Sequence, residues 1–225
     1  MATSGTRQWT MTVEDVCREA FERIGGEPVI GQELASARRS LNIICTELIN
    51  RGVNLFQLQE VVVTVASSVA TVTLATSVVD VLKMAYRTST QGDIEMERIT
   101  FADYLRISDK TQTGEISSKY FIDRKYDFPV VYIWPVPDNS VDRLYMWRTR
   151  RMEDITAGNQ DISLPFRFMP VLASGLAYHM AVKRKGISPD LIMLLKGQYE
   201  EAITHAKQED RDRSPFKVWP KLSRV

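Results

Sequence analysis

The sequence predicts an α+β protein: a four-helix bundle built from N- and C-terminal helix pairs, with an inserted antiparallel β lobe and an extended C-terminal tail. Apolar residues recur at helical spacing near both ends of the chain, β-branched and aromatic residues fill its middle, and the helical pattern stops at residue 209. We therefore divide the chain into a first helix pair (1–57), a β lobe (58–160), a second helix pair (161–209) and a docking tail (210–225).

The first helix pair is predicted at residues 12–24 and 33–50. Thr12 is a typical N-cap, and glycines 25 and 52 end the two helices. The apolar face of the first helix consists of Val13, Val16, Cys17, Ala20, Phe21 and Ile24. That of the second consists of Leu34, Ala37, Leu41, Ile44, Cys45 and Leu48. Both faces need a further apolar surface to cover them.

The middle of the chain changes to a period of two. LQEVVVTV and ATVTLAT, with Ser67-Ser68 between them, are predicted to pair as a hairpin. Further strands are expected in VVDVLKMAYRT, DIEMERI, KYFIDRK, PVVYIWPVP and DRLYMWRTR. Thr100 is expected to cap a short helix over residues 100–108, and Asp138-Asn139-Ser140 to form the last turn.

The second helix pair follows Pro165. Ser188-Pro189-Asp190 combines an N-cap, a proline at the first helical position and an acid in the first turn, so it predicts the start of the last helix. The buried stripe of the first helix in this pair is predicted to be Met169, Leu172, Leu176, Ala177, Met180 and Ala181.

Composition bounds the class of protein. The 225 residues are 44% apolar and 25% charged, as in ordinary globular proteins. The 29 basic and 28 acidic residues give a net charge of +1, which argues against strong global attraction to nucleic acid or anionic membranes. The N-terminus lacks an apolar signal segment, and no run approaches the ~18 apolar residues of a membrane span. We expect a protein that is made in the cytoplasm and has no membrane anchor.

Few residues are of the kinds that carry catalysis or bind metals. His179 and His205 have no further ligands at metal-binding spacing, and Cys17 and Cys45 share apolar stripes with Leu, Ile and Phe residues. The glycines of GGEPVIG follow a helix rather than a strand, unlike those of phosphate-binding loops. The sequence therefore predicts no enzymatic activity, no cofactor and no metal.

Arginines form the densest basic groups. Arg148, Arg150 and Arg151 end a predicted strand, near aromatic residues of the kind that stack on bases: Tyr132, Trp134, Tyr145 and Trp147. Glu153 and Asp154 follow at once, so a strand end that faces solvent or another subunit is the favoured interpretation. Arg38 and Arg39 lie mainly off the apolar face of their helix, where they are expected to face solvent or a carboxylate of a neighbouring subunit.

The tail combines alternating charges with large apolar side chains. It opens with Asp210, Arg211, Asp212 and Arg213. Ser214-Pro215 ends the helix, and three side chains of the type that anchor interfaces follow: Phe216, Val218 and Trp219. We expect the three anchors to dock on another subunit or protein, with the four charges setting the register; packing of the tail on its own bundle stays open.

Two pairs of stretches and one single stretch resemble head-to-tail adaptor proteins of short-tailed phages, the tail tubular protein A type. They are FERIGGEPVI with ARRSLNIICTELINRGVNLF, YDFPVVYIWPVPD with LPFRFMPVLASGLAYHMAVK, and QYEEAITHAKQEDRDRSPF. The resemblance covers roughly residues 12–217 and rests on order and spacing. The chain departs from the pattern at Val53-Asn54-Leu55, where an aromatic residue often follows the glycine.

This resemblance implies a structural protein of the virion neck or tail. Its copies would form a homo-oligomeric ring, usually a dodecamer, between the portal protein and the tail nozzle protein, and double-stranded DNA would pass through without sequence-specific binding. The five arginines would then face the lumen or a neighbouring subunit, and the tail would lie on a neighbour or on the portal. The alternatives are another phage head-completion or tail-attachment protein, and a nucleic-acid-binding module that uses Arg148, Arg150 and Arg151.

Overall fold

The structure is a computed structural model that describes residues 5, 9–26, 31–53, 55–89 and 92–211. Within this part of the chain, the α-helices are Val13–Arg23 (α1), Gln32–Asn50 (α2), Phe101–Arg106 (α3), Met169–Lys183 (α4) and Pro189–Glu209 (α5). The longer strands are Leu58–Thr64 (β1), Val78–Thr88 (β3), Lys119–Asp123 (β7), Val130–Trp134 (β8) and Arg143–Arg150 (β10). The shorter strands are Thr71–Thr73 (β2), Gly92–Glu95 (β4), Glu97–Arg98 (β5), Thr113–Gly114 (β6) and Val136–Pro137 (β9). The protein is therefore of the mixed α+β class, as predicted.

The predicted helix starts are confirmed at three N-caps. Thr12 Oγ1 accepts a hydrogen bond from the Asp15 amide (3.2 Å), and the Asp15 carboxylate accepts one from the Thr12 amide (3.1 Å). This reciprocal capping box satisfies two amides that the first turn of α1 leaves without helical partners. Thr100 and Ser188 cap α3 and α5 in the same position.

The four long helices share one apolar core, but they do not form the predicted four-helix bundle. Helix α4 is central, and α1, α2 and α5 all pack against it, whereas α1 and α2 touch each other only slightly. Every residue from Val171 to Ala177 is buried, not only the stripe expected from the sequence. The physical reason is that α4 is apolar or small on all sides, and a helix of that kind is buried around its whole perimeter.

The β segment is larger and more complex than a single antiparallel lobe. One sheet has the strand order β1-β10-β3-β4, a second has the order β2-β8-β7-β5, and β6 pairs with β9. The β5–β7 and β6–β9 pairs are parallel. An apolar core between the two main sheets includes Met84, Met146, Tyr120, Ile133 and Leu144.

The predicted hairpin of LQEVVVTV and ATVTLAT is wrong, because the two strands lie in different sheets. Strand β1 pairs with β10, with Leu58 opposite Thr149, and β2 pairs with β8, with Thr71 opposite Tyr132. Alternation along a strand indicates which side chains face the core, but it carries no information about the pairing partner.

The chain returns to the helical core through residues 151–165. Met152, Ile155, Ile162 and Leu164 are buried there. The carbonyls of Gly158 and Gln160 accept hydrogen bonds from the amides of Glu14 (2.9 Å) and Val13 (3.1 Å) at the start of α1. This return segment thus fixes the start of α1 to the end of the β segment.

Candidate functional site

Arg148, Arg150 and Arg151 do not present one continuous cationic surface. Arg148 lies on the core side of the sheet, where Nη2 donates to Gln59 Oε1 (3.1 Å) and buried Nε has no hydrogen-bond acceptor among the described residues. Burial, and secondly the charge of Arg150, lower the pKa of the Arg148 guanidinium. Arg151 is exposed and makes a two-pronged ion pair with Asp154, with both N–O distances at 2.9 Å.

Of the two arginines of α2, Arg38 binds the backbone of the return segment and Arg39 is exposed. Arg38 Nη1 donates to the carbonyl of Thr156 (2.6 Å), and the side chain of Asn42, one turn later, exchanges two hydrogen bonds with the backbone of Ile155. These contacts hold the return segment against α2. Arg39 lines a groove of about 500 Å³ with two cations that the sequence reasoning missed, Lys183 and Arg184.

The four aromatic side chains considered for base stacking are divided between two sheets. Tyr145 and Trp147 lie on β10, and Arg87 stacks on Tyr145 with its guanidinium carbon 3.6 Å from the ring centre. Tyr132 belongs to β8. It packs in a separate cluster with Phe121 and Tyr104, which places the Tyr104 ring 5.3 Å from that of Tyr132. The four rings therefore do not form one stacking platform.

Two exposed apolar patches lie on the β segment. On α3, Phe101 and Leu105 are 60% and 56% exposed, beside the aromatic cluster of Tyr104, Phe121 and Tyr132. On the outer side of the first sheet, Leu58 and Val62 of edge strand β1 are 40% and 44% exposed. Helix α3 has no buried residue. The spacing of its apolar residues in the sequence indicates a helix, but it does not indicate that these residues are exposed.

The base of the tail lies at a groove between α1, α4 and α5. Asp210 follows α5, is buried, and its Oδ1 lies 3.4 Å from Arg167 Nη2. The adjacent groove has a volume of about 600 Å³, and its lining includes Pro170, Ala202 and Ala206. Arg211 is exposed in a bend. The remaining predicted tail contacts, Asp212, Arg213, Phe216, Val218 and Trp219, lie outside the described residues.

The candidate reactive groups have structural contacts. Cys17 and Cys45 are buried free thiols, and burial raises the pKa of each to about 11, which keeps them protonated and poorly nucleophilic at neutral pH. His205 Nε2 lies 3.7 Å from Glu201 on the exposed side of α5. Among the residues that the structure describes, no three His, Cys, Asp or Glu side chains are grouped so as to hold a metal ion.

A polar network of four side chains joins α2 to α5. Arg51 donates to the carboxylate of Glu200 at 2.7 and 2.9 Å and to Glu47 at 2.6 Å, and the Tyr199 hydroxyl donates to the other oxygen of Glu47 (2.8 Å). Burial and this bond to Glu47 raise the pKa of Tyr199. The hydrogen bond from Arg51 lowers the pKa of Glu200. The arrangement holds helices α2 and α5 together.

In the described part of the chain, no helix is both long and apolar enough to cross a lipid bilayer.

Comparison with known proteins identifies the family. The family model described as SU10 adaptor protein matches residues 11–219, which include every helix and strand of the fold. No curated protein matches the chain. The match agrees with the resemblance to phage adaptors noted in the sequence, whereas the finer assignment to the tail tubular protein A type stays a prediction. The chain belongs to the SU10 adaptor protein family, and it is accordingly a phage adaptor protein associated with other parts of the virion.

Proposed function

We propose that this protein is a structural head-to-tail adaptor without enzymatic activity. Its copies form a ring, of twelve subunits as in the family that it resembles, which joins the portal protein to the tail nozzle protein and forms part of the DNA conduit. It is made in the host cytoplasm and acts in the tail or neck of the virion. The observation that carries this proposal is the adaptor-family match over residues 11–219.

The distribution of exposed apolar side chains supports a ring. A cyclic assembly uses two different faces of each subunit, since one face of a copy contacts a different face of the next. The exposed patches lie on separate elements: Phe101 and Leu105 on α3, Leu58 and Val62 on β1, and Met193 with Leu194 on α5. Large exposed apolar side chains grouped in this way mark interaction surfaces more often than reactive sites.

Assembly with the portal protein tests the proposal directly. We expect the purified protein, mixed with portal protein, to form a ring-shaped complex of defined mass in electron microscopy and multi-angle light scattering. A protein that stays monomeric and does not bind portal protein would refute the proposed role. A protein that binds only a tail-fibre or head-completion component would favour the alternative attachment function.

The tail provides a second test of the same proposal. We expect deletion of residues 214–225 to leave a folded protein that joins the portal poorly, because Phe216, Val218 and Trp219 would no longer be present as anchors. Circular dichroism and thermal unfolding of the deletion variant establish that the folded core is intact. Replacing Lys221 and Arg224 by Ala, with the anchors retained, is the matched control. Portal binding equal to that of the full chain would contradict the docking role.

The nucleic-acid alternative makes a different prediction. If the protein bound DNA through the arginines at the end of β10, its affinity for DNA would fall steeply as the salt concentration rises. The double substitution Arg150→Ala with Arg151→Ala would then make the affinity less dependent on salt. We expect weak binding to double-stranded DNA with no effect of the two substitutions. Arg151 already pairs with Asp154, which reduces the charge available to a phosphate.

A further inference from the structure

The groove beside the base of the tail has the size and position of a peptide-binding site. Its volume of about 600 Å³ falls within the ~300–1,000 Å³ that is typical of ligand sites. Its lining combines small or apolar residues, among them Pro170, Ala202 and Ala206, with charged residues such as Arg23 and Glu201. Gln198 and Glu201 line the same groove further from the tail, so it follows α5 for several turns.

The tail leaves α5 at one end of this groove. Asp210, the first residue after α5, is buried against Arg167, and Arg167 itself lines the groove. The ion pair therefore fixes the point at which the following chain emerges. A partner segment need not be recruited from elsewhere, because the chain's own apolar anchors begin six residues after Asp210.

The length of the chain allows the anchors to reach the lining residues on α5. From Asp210 to Phe216 an extended chain spans at most ~20 Å. Along α5, Ala206 and Ala202 lie four and eight residues before Asp210, which corresponds to ~6 and ~12 Å of helix. Helix α5 ends at Glu209 and the chain bends at Asp210 and Arg211, so the segment that follows does not continue the helix away from the groove.

Charge is complementary between the segment and the groove. Residues 214–225 carry Lys217, Lys221 and Arg224 and no Asp or Glu. On the groove side, Glu201 is 74% exposed and lies 3.7 Å from the imidazole of His205, which carries a charge only when protonated. Arg23 and Arg167 are already paired with the carboxylates of Glu19 and Asp210. A basic segment with aromatic anchors therefore fits this groove better than an acidic one.

We propose that, in the isolated subunit, the groove between α1, α4 and α5 binds residues 214–220 of the same chain. Attachment through the short linker 211–213 makes this contact intramolecular, with an effective concentration in the millimolar range, so it outcompetes other copies at ordinary protein concentrations. The contact covers Phe216 and Trp219 until assembly offers them the surface of a partner. It is thus an autoinhibitory contact that delays association of the anchors with other molecules.

Disulfide crosslinking in the full chain tests this proposal. Lys217→Cys keeps all three anchors and places a thiol among them, and Gln198→Cys places the second thiol in the groove. Lys207→Cys is the matched control, because it lies nine residues from Gln198 and so on the opposite side of α5, closer to the base of the tail. An undocked tail would therefore crosslink at least as fast to Lys207→Cys as to Gln198→Cys. The native cysteines are buried, and single-cysteine variants control for their participation.

We expect the intrachain crosslink to Gln198→Cys to form at least about tenfold faster than that to Lys207→Cys in dilute, monomeric protein. Adding Phe216→Ala and Trp219→Ala should remove this preference. Equal rates for the two pairs, or crosslinks that join two chains instead of one, would overturn the proposal. Because no portal protein is present in this experiment, its outcome is independent of the test of the proposed function.

Discussion

Gly175 of α4 provides the sharpest test of how the helical core is built. A Cβ atom at this position would lie 2.6 Å from Tyr199 Cε2, 3.0 Å from Tyr199 Cδ2 and 3.2 Å from Ile44 Cδ1. Carbon atoms in packed cores approach to about 3.5–4.0 Å, so the ring of Tyr199 would have to move. That ring is buried, and its hydroxyl is held by Glu47 at 2.8 Å, so movement would cost the hydrogen bond as well as packing.

The expected destabilisation by Gly175→Ala follows from two opposing contributions. Inserting a methyl group into a closely packed core costs ~1–3 kcal/mol, and the constrained ring places this site in the upper part of that range. Alanine is favoured over glycine within a helix by ~0.8–1.0 kcal/mol, which offsets part of the cost. We expect the variant to lose about 1–2 kcal/mol, which corresponds to a decrease in Tm of ~2–8 °C for a chain of this size.

Gly197 supplies a matched control within the same pair of helices. It lies in α5, is exposed, and has no atom within 4 Å of the position of an added Cβ. Gly197→Ala should therefore stabilise the protein by up to about 1 kcal/mol through helix propensity alone. Urea unfolding followed by circular dichroism gives both free energies. In a Tyr199→Leu background the cost of Gly175→Ala should be much smaller, because the obstructing ring is gone and only the tight contact with Ile44 Cδ1 remains. If Gly175→Ala proved as stable as Gly197→Ala, the close packing of α4 against α5 would be refuted.

Three further predictions concern polar and reactive groups. Tyr86→Phe should cost ~1 kcal/mol in urea unfolding, because the Tyr86 hydroxyl donates to buried Asp142 at 3.0 Å; Tyr126→Phe, at a fully exposed site, should cost nothing. The pKa of Glu200 is lower in the folded protein than its unfolded value of ~4.3, so its stabilising effect is complete above that pH and is lost as the pH falls through the folded pKa. Arg51→Met should therefore reduce the difference in unfolding free energy between neutral and acidic pH, and equal pH dependence in the two proteins would contradict this. Both cysteine thiols should react with a thiol reagent at pH 8 only as fast as the protein unfolds, since their pKa values are raised to about 11; rapid labelling of native protein would disprove their burial.

The local signals in the sequence were sufficient for the helices. Thr12, Thr100 and Ser188 each combine an N-cap side chain with a suitable first turn, and α1, α3 and α5 begin after them. Such signals involve residues three positions apart, so a single sequence contains all of the physical information that they need. The arrangement of the helices in space was harder to predict from the sequence. The prediction for α4 was a stripe on one side, whereas the small residues Ala173-Ser174-Gly175 on its other sides are buried as well, and this burial makes α4 central.

The sheet pairing could not be predicted, because it depends on residues far apart in the chain. The β1 run LQEVVVT alternates as a strand should, yet its partner β10 lies beyond all the other strands. Asp80 illustrates how the two sheets are joined. Its carboxylate accepts hydrogen bonds from Arg98 of β5 and from Arg124 after β7, so one acid of β3 links the first sheet to the second. The sequence around each of these three residues contains nothing that predicts this contact.

Pairing between arginines and carboxylates also reduces the strength of DNA binding that arginine-rich stretches of this sequence would otherwise indicate. Arginines across the fold are engaged by nearby carboxylates: Arg51 with Glu47 and Glu200, Arg87 with Asp93, Arg98 and Arg124 with Asp80, and Arg151 with Asp154. An arginine that is already paired releases few counterions from DNA, and so contributes little to binding. The proposed DNA conduit would benefit from this arrangement, because a duplex would have to slide past the protein without being held. The net charge of +1 then reflects a surface on which many cations serve protein contacts. Among the described residues, Arg39, Arg143, Arg150 and Arg211 make neither an ion pair with a carboxylate nor a side-chain hydrogen bond, so in the proposed conduit any contact with DNA would be concentrated at them.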